Sequence, residues 1–407
     1  MKAFSESNLK QVVIVGAGPA GLFIAYKLLE CGFKVSLFEK TGFVGKKFLV
    51  AGKSDLNLTN NEPIETFSKK YFENEKYFKD LLVDFSPSDL QNWFKELGVD
   101  CFIGSSDRIF PKNIKAAQIL KKWMSKLIDM GLDFRPYHEL VGVNQDFITF
   151  KDNKDEVVKK IEADYYVYAL GGASWKITGS DGSWINSFAE LGIKTNKFES
   201  SNCGINLTYS TFFKDNFPFS ILKNVKASCG NLSIQGDITC SSYGLEGTPI
   251  YSIISEVRRG NTLTLNFKPD LSISNIKDRV LKRKKKQSLS SFLRKELNLT
   301  KGIYSFMREF YSQDEIESNL PVYLSSFVVP VESIRPIDEA ISTIGGISLN
   351  EVDSGLMLKK LHNHYLAGEM LDWDTITGGY LLQGCFSMAY RVFTSIDNSE
   401  KNICFKN

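Results

Sequence analysis

A candidate ligand-binding motif lies near the N-terminus, in the stretch VVIVGAGPAGLFIAYKLLECGFKVSLFEK at 12–40. Gly16, Gly18 and Gly21 form a GxGxxG pattern between an apolar, β-branched run and a helix-like segment. In this pattern the first glycine permits a tight turn, the second lets a diphosphate approach the backbone, and the third lets helix and strand pack closely. The free N–H groups at the start of the helix would then bind the diphosphate.

Glu39 is the second chemical group of this stretch. It follows a predicted second strand, Phe33 to Phe38, and stands about 20 residues beyond the glycines, where a carboxylate can accept hydrogen bonds from ribose hydroxyls. An acid at this position favours an unphosphorylated ribose. The pattern therefore predicts FAD or NAD, in preference to NADP.

A second set of glycine-rich elements lies far along the chain. YLAGE at 365–369 is typical of a short buried strand ending in Gly-Glu, and TGGY at 377–380 precedes an apolar, helix-like segment, Leu381 to Phe393. A further strand is predicted over Tyr165 to Leu170, followed by two glycines. Three strand ends that carry glycines suit an extended ligand lying across one sheet edge, and FAD is such a ligand.

The elements that position these residues must belong to a large protein with an ordinary composition. A chain of 407 residues can form two domains, and its 43% hydrophobic and 24% charged residues are typical of a globular protein. The net charge of +3 gives no argument for a nucleic-acid or membrane partner. The seven cysteines contain no CxxC pair and only three histidines occur, so we expect no metal site and reduced cysteines in a cytoplasmic protein.

The apolar run at the N-terminus could be mistaken for a membrane anchor. Glycines and a proline interrupt it at 16–21, and Lys27 and Glu30 follow within two turns. A spanning helix needs about 20 predominantly apolar residues, and no other segment comes closer. We therefore expect no membrane segment.

The middle of the chain has a different pattern. Between 196 and 330 lie alternating segments rich in Thr, Ser and β-branched residues, which are typical of antiparallel strands. Ile276 to Phe310 is helix-like and strongly basic, and the segment 112–127 is predicted to be an amphipathic surface helix. We interpret 196–330 as an inserted domain, part β and part α, that covers the ligand and selects the substrate.

Seven stretches, spread over nearly the whole chain, together resemble a known family: GAGPAGLFIAYKL, EKTGFVGKKFLVAGKSDLNLTN, GSSDRIFPKNIKAAQIL, ALGGASWKITGSDG, GLEGTPIYSI, RPIDEAISTIGGISLNEVD and HYLAGEMLDWDTITGGYLLQGCFS. They are similar to the BaiN/RdsA-like (YhiN-type) FAD-dependent oxidoreductases. Leu56 stands where many members have cysteine, and AGKSDLNLT is similar to a subgroup written AGKxxLNLT.

The resemblance implies an α/β fold, with a Rossmann-like FAD-binding domain of the glutathione-reductase type and an inserted mixed β/α domain. The FAD-binding domain would comprise 1–195 and 331–407, and the inserted substrate or lid domain 196–330. The dinucleotide is accordingly expected to be FAD.

The resemblance also implies roles for individual positions. The diphosphate would be held by Gly16, Ala17, Gly18, Ala20 and Gly21, the adenosine ribose by Glu39 and Lys40, and the adenine by Val141. Lys47, Asn57 and Thr59 would lie near the diphosphate or the flavin, Ala169, Leu170 and Gly171 along the nucleotide, Gly368 and Glu369 at the ribityl chain, and Gly379, Tyr380 and Leu381 beside the flavin pyrimidine ring. A helix beginning near Gly378 would point its positive end at N1 and C2=O of the flavin.

Family members reduce a steroid enone or convert a uridine of ribosomal RNA to dihydrouridine. Both reactions transfer a hydride from flavin N5 to an electron-poor C=C and add a proton at the neighbouring carbon. We expect this reaction type here, on a small-molecule or RNA acceptor. The alternatives are an RNA-modifying enzyme that forms dihydrouridine and a non-catalytic flavin-binding protein.

The proton donor and the reductant are less constrained. Lys53, Asp55 and Tyr380 are the candidate catalytic residues, with Ser174 beside them, because they lie in or next to motifs expected to face the flavin. There is no second GxGxxG pattern, so no separate NAD(P)H-binding domain is predicted. NAD(P)H docking transiently at the flavin, or a partner protein, would supply the electrons.

Three remaining features each have a structural and a functional interpretation. The basic run at 282–286 is either a solvated helix face or a patch for RNA phosphates. Cys385 is either a redox thiol or, as we expect, a helix residue packed in the core. The cluster Asp372, Trp373 and Asp374 either shapes a turn and packs in the core or contributes to the site.

Overall fold

A computed structural model describes residues 9–53, 56–284 and 286–404. The chain forms two compact units, the first comprising residues up to Glu199 and from Ser342 onward, the second Ser200–Ile341. The second unit extends past the predicted limit of 330. The reason is that the strand Ser333–Ile334 still pairs with Ile205–Asn206 in the sheet of that unit.

The first unit contains both strands and helices, in mixed order along the chain. Its strands are β1 (Gln11–Val15), β2 (Lys34–Glu39), β3 (Thr59–Asn60), β4 (Cys101–Ile103), β5 (Arg108–Pro111), β6 (Asp133–Pro136), β7 (His138–Val143), β8 (Ile148–Asp152), β9 (Val158–Ile161), β10 (Tyr165–Tyr168), β11 (Thr195–Ser201), β19 (Ser342–Ile347) and β20 (His364–Leu366). Its helices are α1 (Pro19–Glu30), α2 (Lys46–Ala51), α3 (Ile64–Phe67), α4 (Glu75–Asp84), α5 (Pro87–Glu96), α6 (Ala116–Asp129), α7 (Ile185–Ala189) and α16 (Tyr380–Cys404).

A five-stranded parallel sheet organises this unit, in the order β20-β10-β1-β2-β6. The apolar run QVVIV forms the central strand β1, buried almost throughout, as expected for a parallel strand covered on both faces. From β1 the chain passes through α1 to β2 on one side, while β10 and β20 lie on the other. The carboxyl ends of these strands meet at one edge, which is where α/β sheets of this topology bind ligands.

The helices α1 and α16 pack together with α5 through an aromatic cluster. Phe23 of α1 lies with its ring centroid 5.1 Å from that of Phe386 of α16 and 5.0 Å from that of Trp93 of α5. The predicted helix after the first glycine motif is confirmed, and Gly32 follows it with a φ of +83°, a conformation that suits glycine beyond a helix end. The predicted apolar helix near the C-terminus is longer than expected, because α16 begins at Tyr380 and continues to Cys404.

The second unit is built on a seven-stranded antiparallel sheet, in the order β17-β16-β13-β14-β15-β12-β18. Its strands are β12 (Ile205–Asn206), β13 (Ser220–Cys229), β14 (Leu232–Cys240), β15 (Gly244–Glu246), β16 (Leu263–Asn266), β17 (Phe327–Val328) and β18 (Ser333–Ile334). Its helices are α8 (Thr211–Asn216), α9 (Thr248–Tyr251), α10 (Ile254–Arg258), α11 (Ile273–Leu281), α12 (Leu289–Glu296), α13 (Lys301–Phe310), α14 (Gln313–Ser318) and α15 (Leu320–Ser325). The sheet and helices enclose a hydrophobic core of their own.

The basic run at 282–286 does not form a helix face. It lies in the connection between α11 and α12, where Lys282 and Lys284 are exposed and Lys285 is outside the described residues. Arg283 is held by the protein itself, since Nη1 donates to Glu317 Oε2 at 3.1 Å and Nε donates to the Gln287 carbonyl at 3.0 Å. The helical part of the structural interpretation was therefore wrong: α11 ends at Leu281.

No helix in the described part of the chain has the length and apolar character needed to cross a membrane. Within the same residues, no group of three or more His, Cys, Asp or Glu side chains is arranged to hold a metal ion.

Candidate functional site

A cleft opens in the first unit at the carboxyl ends of β1, β2, β10 and β20. The volume of the cleft, including the solvent at its opening, is about 1020 Å³. The residues that line it come from six separate parts of the chain: 15–20, 38–47, 138–140, 169–184, 367–369 and Cys385. The three glycine-bearing strand ends predicted from the sequence thus meet at one site.

The glycines of the first motif have three different environments. Gly16 has a φ of +105°, and an added Cβ would lie 2.3 Å from the carbonyl oxygen of Ala169. A Cβ at Gly21 would lie 2.0 Å from the carbonyl oxygen of Gly16. A Cβ at Gly18 would meet no atom within 4 Å, so this glycine leaves open space in the cleft. These are the tight turn, the close helix contact and the open approach that the spacing predicts.

The start of α1, beside Gly18, has the features of an anion site. Gly18 is the N-cap residue, and no side chain of the described residues caps the helix. Unsatisfied N–H groups and the positive end of a helix favour a bound anion such as a diphosphate. The N–H of Ala17 already has a partner within the protein, because it donates to Glu39 Oε2 at 3.0 Å.

The end of β2 and the loop after β10 form one side of the cleft, which is the side predicted for the adenosine. Glu39 Oε1 accepts a hydrogen bond from the Thr41 N–H at 2.9 Å, which holds the carboxylate at the cleft wall. Lys40 Nζ forms an ion pair with Asp181 Oδ1 at 2.8 Å. Burial alone would raise the pKa of Asp181, but hydrogen bonds from Lys40 and Ser183 hold it below its usual value. The ion pair therefore ties the loop at 171–184 to the end of β2.

Lys47 and Glu369 form a polar cluster at the other side of the cleft. Lys47 Nζ donates to Glu369 Oε2 at 2.8 Å and to Ser174 Oγ at 2.7 Å. The second carboxylate oxygen of Glu369 accepts from the Thr343 N–H at 3.0 Å. A Cβ at Gly172 would lie 2.1 Å from Thr343 Oγ1, so the cluster is closely packed.

Cys385 lies on α16 at the base of this cluster and lines the cleft. Burial, reinforced by the nearby carboxylate of Glu369, raises the pKa of its thiol to about 12. The thiol is therefore protonated at neutral pH, which does not suit a reactive thiolate. This agrees with the expectation that Cys385 packs in a helix.

The Gly378-Gly379 pair precedes α16, both residues having positive φ, +127° and +95°. A Cβ at Gly379 would lie 2.5 Å from the carbonyl carbon of Thr59, so β3 and the start of α16 are in close contact. The hydroxyl of Thr59 is buried and donates to Gln383 at 2.7 Å. Two buried side-chain atoms in these segments, Asn57 Oδ1 and Thr377 Oγ1, have no hydrogen-bond partner among the residues that the structure describes.

Tyr380 begins α16 and is buried, 4% exposed. Its ring packs against Phe67, with centroids 4.7 Å apart, and its carbonyl accepts from the Tyr71 hydroxyl at 2.7 Å. Burial, and secondly the carboxylate of Glu62, raise the pKa of Tyr380 well above its usual value. The phenol is therefore protonated at neutral pH.

Several predicted residues do not line the cleft. Val141 is 44% exposed at a bulge of β7, and the neighbouring Leu140 lines the cleft instead. Lys53 follows α2 and is exposed, and its role as a catalytic residue stays a prediction. Asp55, the other candidate in that loop, is outside the described residues.

The structure also brings in residues that sequence reasoning missed. They all line the cleft: Phe43, His138, Leu140, Thr178, Ser183 and Trp184. The motif ALGGASWKITGSDG extends beyond Gly171 and could have indicated Thr178 and the adjoining residues. Phe43 lies within the stretch EKTGFVGKKFLVAGKSDLNLTN, but the sequence assigned no role to Phe43 or His138, because only the folded chain brings the loop after β2 and the start of β7 to the same cleft.

The cluster at 372–374 has structural contacts. Asp372 accepts from the Gly345 N–H at 2.9 Å and from Asn196 Nδ2 at 2.5 Å. Trp373 is buried, and its indole N–H donates to the Gly368 carbonyl at 2.9 Å. These contacts support turn geometry and core packing, which shape the Gly368-Glu369 turn.

The chemistry of the cleft fits FAD. An uncapped helix start with open space at Gly18 suits the diphosphate, and Glu39 and Glu369 place hydrogen-bond acceptors on either side of it. The unpartnered polar atoms of Asn57 and Thr377 lie in the two segments expected at the flavin.

Comparison with known proteins agrees with this geometry. The family model of the HI0933-like protein Rossmann domain matches residues 10–394. A 3-dehydro-bile acid delta(4,6)-reductase from Clostridium scindens is 23% identical, over 94% of this chain and 98% of the reductase. A ribosomal RNA dihydrouridine synthase from Haemophilus influenzae is 22% identical, over 96% of this chain and 99% of the synthase.

Solved structures show the same fold at lower identity. The open conformation of a flavocytochrome c3 fumarate reductase superimposes with a TM-score of 0.54 at 15% identity, covering 95% of this chain and 78% of that one. A 3-ketosteroid-delta4-(5alpha)-dehydrogenase from Rhodococcus jostii RHA1 has a TM-score of 0.52 at 13% identity, covering 97% of this chain and 98% of that one.

Proposed function

This chain belongs to the HI0933-like protein Rossmann domain family, and from that premise we propose that it is an FAD-dependent oxidoreductase that reduces a conjugated C=C bond. The observation that carries the proposal is the convergence of the glycine motif, Glu39 and the Gly368-Glu369 turn on one cleft. When bound, reduced FAD supplies a hydride from N5 to the carbon β to a carbonyl, and a proton completes the addition at the neighbouring carbon.

The residues of the cleft have distinct parts in this proposal. The start of α1 binds the diphosphate, with the open space at Gly18 admitting it. Glu39 accepts hydrogen bonds from the adenosine ribose, and Glu369 from the ribityl chain. The N-terminus of α16 directs its positive end toward the flavin pyrimidine ring, where it stabilises negative charge.

The substrate class follows from what the relatives have in common. A 3-oxo-Δ4,6 bile acid and a uridine both present a C=C conjugated with a carbonyl group, and both named relatives cover nearly all of this chain. Such a substrate needs a polarised carbonyl and a proton source. We keep Lys53, Asp55 and Tyr380 as the candidate proton sources, and NAD(P)H as the reductant.

The experiment has two steps. The purified protein is expected to carry FAD, with the absorption bands of an oxidised flavin, and NADH or NADPH should bleach them under anaerobic conditions. Addition of a 3-oxo-Δ4 steroid to the reduced protein should restore the oxidised spectrum and yield a saturated product by mass spectrometry. Reduction by dithionite but by neither nicotinamide would exclude NAD(P)H as the direct reductant. A protein that cannot be reconstituted with FAD would refute the whole proposal.

A second candidate is an RNA-modifying enzyme that forms dihydrouridine in ribosomal RNA. Two observations favour it: the similarity to the Haemophilus influenzae synthase, and the exposed lysines of the 282–286 connection, which could contact phosphates. Ribosomal RNA from a strain lacking the protein should then miss one dihydrouridine by mass spectrometry. An unchanged set of dihydrouridines would exclude this candidate and leave the small-molecule reductase.

A further inference from the structure

The polar cluster of the cleft gives Lys47 a more specific task than its sequence motif indicates. Two of the three N–H donors of its ammonium group are bound within the protein, one by Glu369 Oε2 at 2.8 Å and one by Ser174 Oγ at 2.7 Å. These contacts join α2, the loop after β10 and the turn after β20. The side chain is 27% exposed, compared with 9% for that of Glu369.

Without a partner, the negative charge of the Glu369 carboxylate would disfavour cofactor binding. A Cβ at Gly368 would lie 3.5 Å from the Cβ of Ala20, so the Gly368-Glu369 turn lies against the first turn of α1. That turn of α1 is the anion site. Water screens a charge only weakly in a site that is nine-tenths buried, so a lone carboxylate there would repel a diphosphate.

The ammonium group of Lys47 offsets the negative charge of Glu369, and the remaining contacts hold the carboxylate in place. The second oxygen of Glu369 is held by the Thr343 N–H, and Gly172 admits no side chain beside it. Each carboxylate oxygen has more than one acceptor site, so both can still accept from a hydroxyl in the cleft. A carboxylate that is paired with an ammonium group and held by a backbone N–H is a strong acceptor for the hydroxyl groups of a polyol chain.

We propose that Lys47 is a positioning residue that acts through Glu369: it neutralises and orients this carboxylate so that Glu369 can accept hydrogen bonds from the ribityl chain of FAD. Lys47 does not act as a separate ligand of the diphosphate. This inference rests on the proposed function, because it concerns the same cofactor. It differs from direct phosphate binding in one measurable respect: the effect of removing Lys47 depends on Glu369.

A double-mutant cycle on FAD affinity tests this dependence. Apoproteins of the wild type, Lys47→Met, Glu369→Gln and the double variant are titrated with FAD, and the dissociation constant is measured by the quenching of flavin fluorescence. Lys47→Met should weaken binding by roughly tenfold or more, because it leaves a buried carboxylate unpaired. The double variant should lose far less than the product of the two single losses.

Matched variants separate this role from a general loss of charge or structure. Lys46→Met removes the adjacent charge, which also lines the cleft but has its ammonium 5.9 Å from the Phe43 ring centroid. Lys46→Met should change FAD affinity by the same factor in the wild-type protein and in the Glu369→Gln variant. Lys47→Arg should retain most of the affinity, because a guanidinium also pairs with a carboxylate. If Lys47→Met does not fold, as judged by circular dichroism of the apoprotein, Lys47→Gln takes its place in the cycle.

The outcomes are distinct. A double variant whose loss equals the product of the single losses would overturn the inference, since Lys47 would then act on FAD independently of Glu369. Wild-type protein that binds no FAD would overturn the proposed function, and this inference with it. Wild-type binding together with a strongly non-multiplicative cycle and retention by Lys47→Arg would support both.

Discussion

Gly18 and Gly21 stand three residues apart in one motif, yet the structure predicts opposite consequences for an added methyl group. In Gly18→Ala the Cβ meets no atom within 4 Å, and the φ of −80° suits alanine. Because alanine is a poorer N-cap than glycine, we expect a loss of stability of at most about 1 kcal/mol. In Gly21→Ala the Cβ would lie 2.0 Å from the Gly16 carbonyl oxygen, a backbone atom that cannot move away alone. We expect a loss of about 3 kcal/mol or more.

The same Gly18→Ala substitution should weaken cofactor binding. In the proposed site the diphosphate approaches the backbone at the open space beside Gly18, so the added methyl group would keep it from the N–H groups of α1. Loss of one charged hydrogen bond amounts to about 1.5–3 kcal/mol, a weakening of roughly tenfold to 150-fold. Urea unfolding of the apoproteins measures the stability, and fluorescence titration with FAD measures the affinity. A Gly18→Ala protein that is stable and binds FAD like the wild type would refute the assignment of this turn to the diphosphate.

Three further predictions concern residues outside the glycine motif. Burial lowers the pKa of His364 to about 4, so its neutral ring contributes stability above pH 6.5 that is lost as the pH falls toward 4. The loss in the free energy of unfolding should reach about 3 kcal/mol, and the His364→Asn protein, measured by urea unfolding, should lack this part of the pH dependence. The same pH dependence in wild type and variant would contradict this prediction. Tyr380→Phe should leave FAD binding intact but slow reoxidation of the reduced flavin by an enone roughly 10²-fold or more if the phenol supplies the proton, and equal rates in stopped-flow absorbance would eliminate Tyr380 as the donor. Replacing the lysines at 282–286 by glutamine should weaken binding to ribosomal RNA and reduce its salt dependence, as measured by filter binding, if the connection contacts phosphates; identical curves would leave it as a solvated loop.

The short-range features of this protein could be predicted because their causes are local. The run QVVIV forms a buried strand, the following glycines turn the chain, and Gly32 ends the helix, all from residues adjacent in sequence. The antiparallel character of the middle segment follows from its alternating pattern in the same way. The length of α16 was underestimated, because the sequence after Phe393 is mostly polar, although Ile396 of that segment is buried in the core of the first unit.

The glycine turn between β1 and α1 could be predicted from the sequence, because the contact of Gly21 with the Gly16 carbonyl involves neighbours only five positions apart. The contact of Gly16 with the Ala169 carbonyl, in contrast, joins distant parts of the chain. Only the tertiary structure decided which distant side chains complete the site. Lys47 and Glu369 are separated by 322 residues, and the parallel pairing of β20 with β10 and of β10 with β1 brings the Gly368-Glu369 turn to the cleft. Such a contact depends on strand order and register across the whole sheet, and no local pattern of residues encodes its distance or its partners.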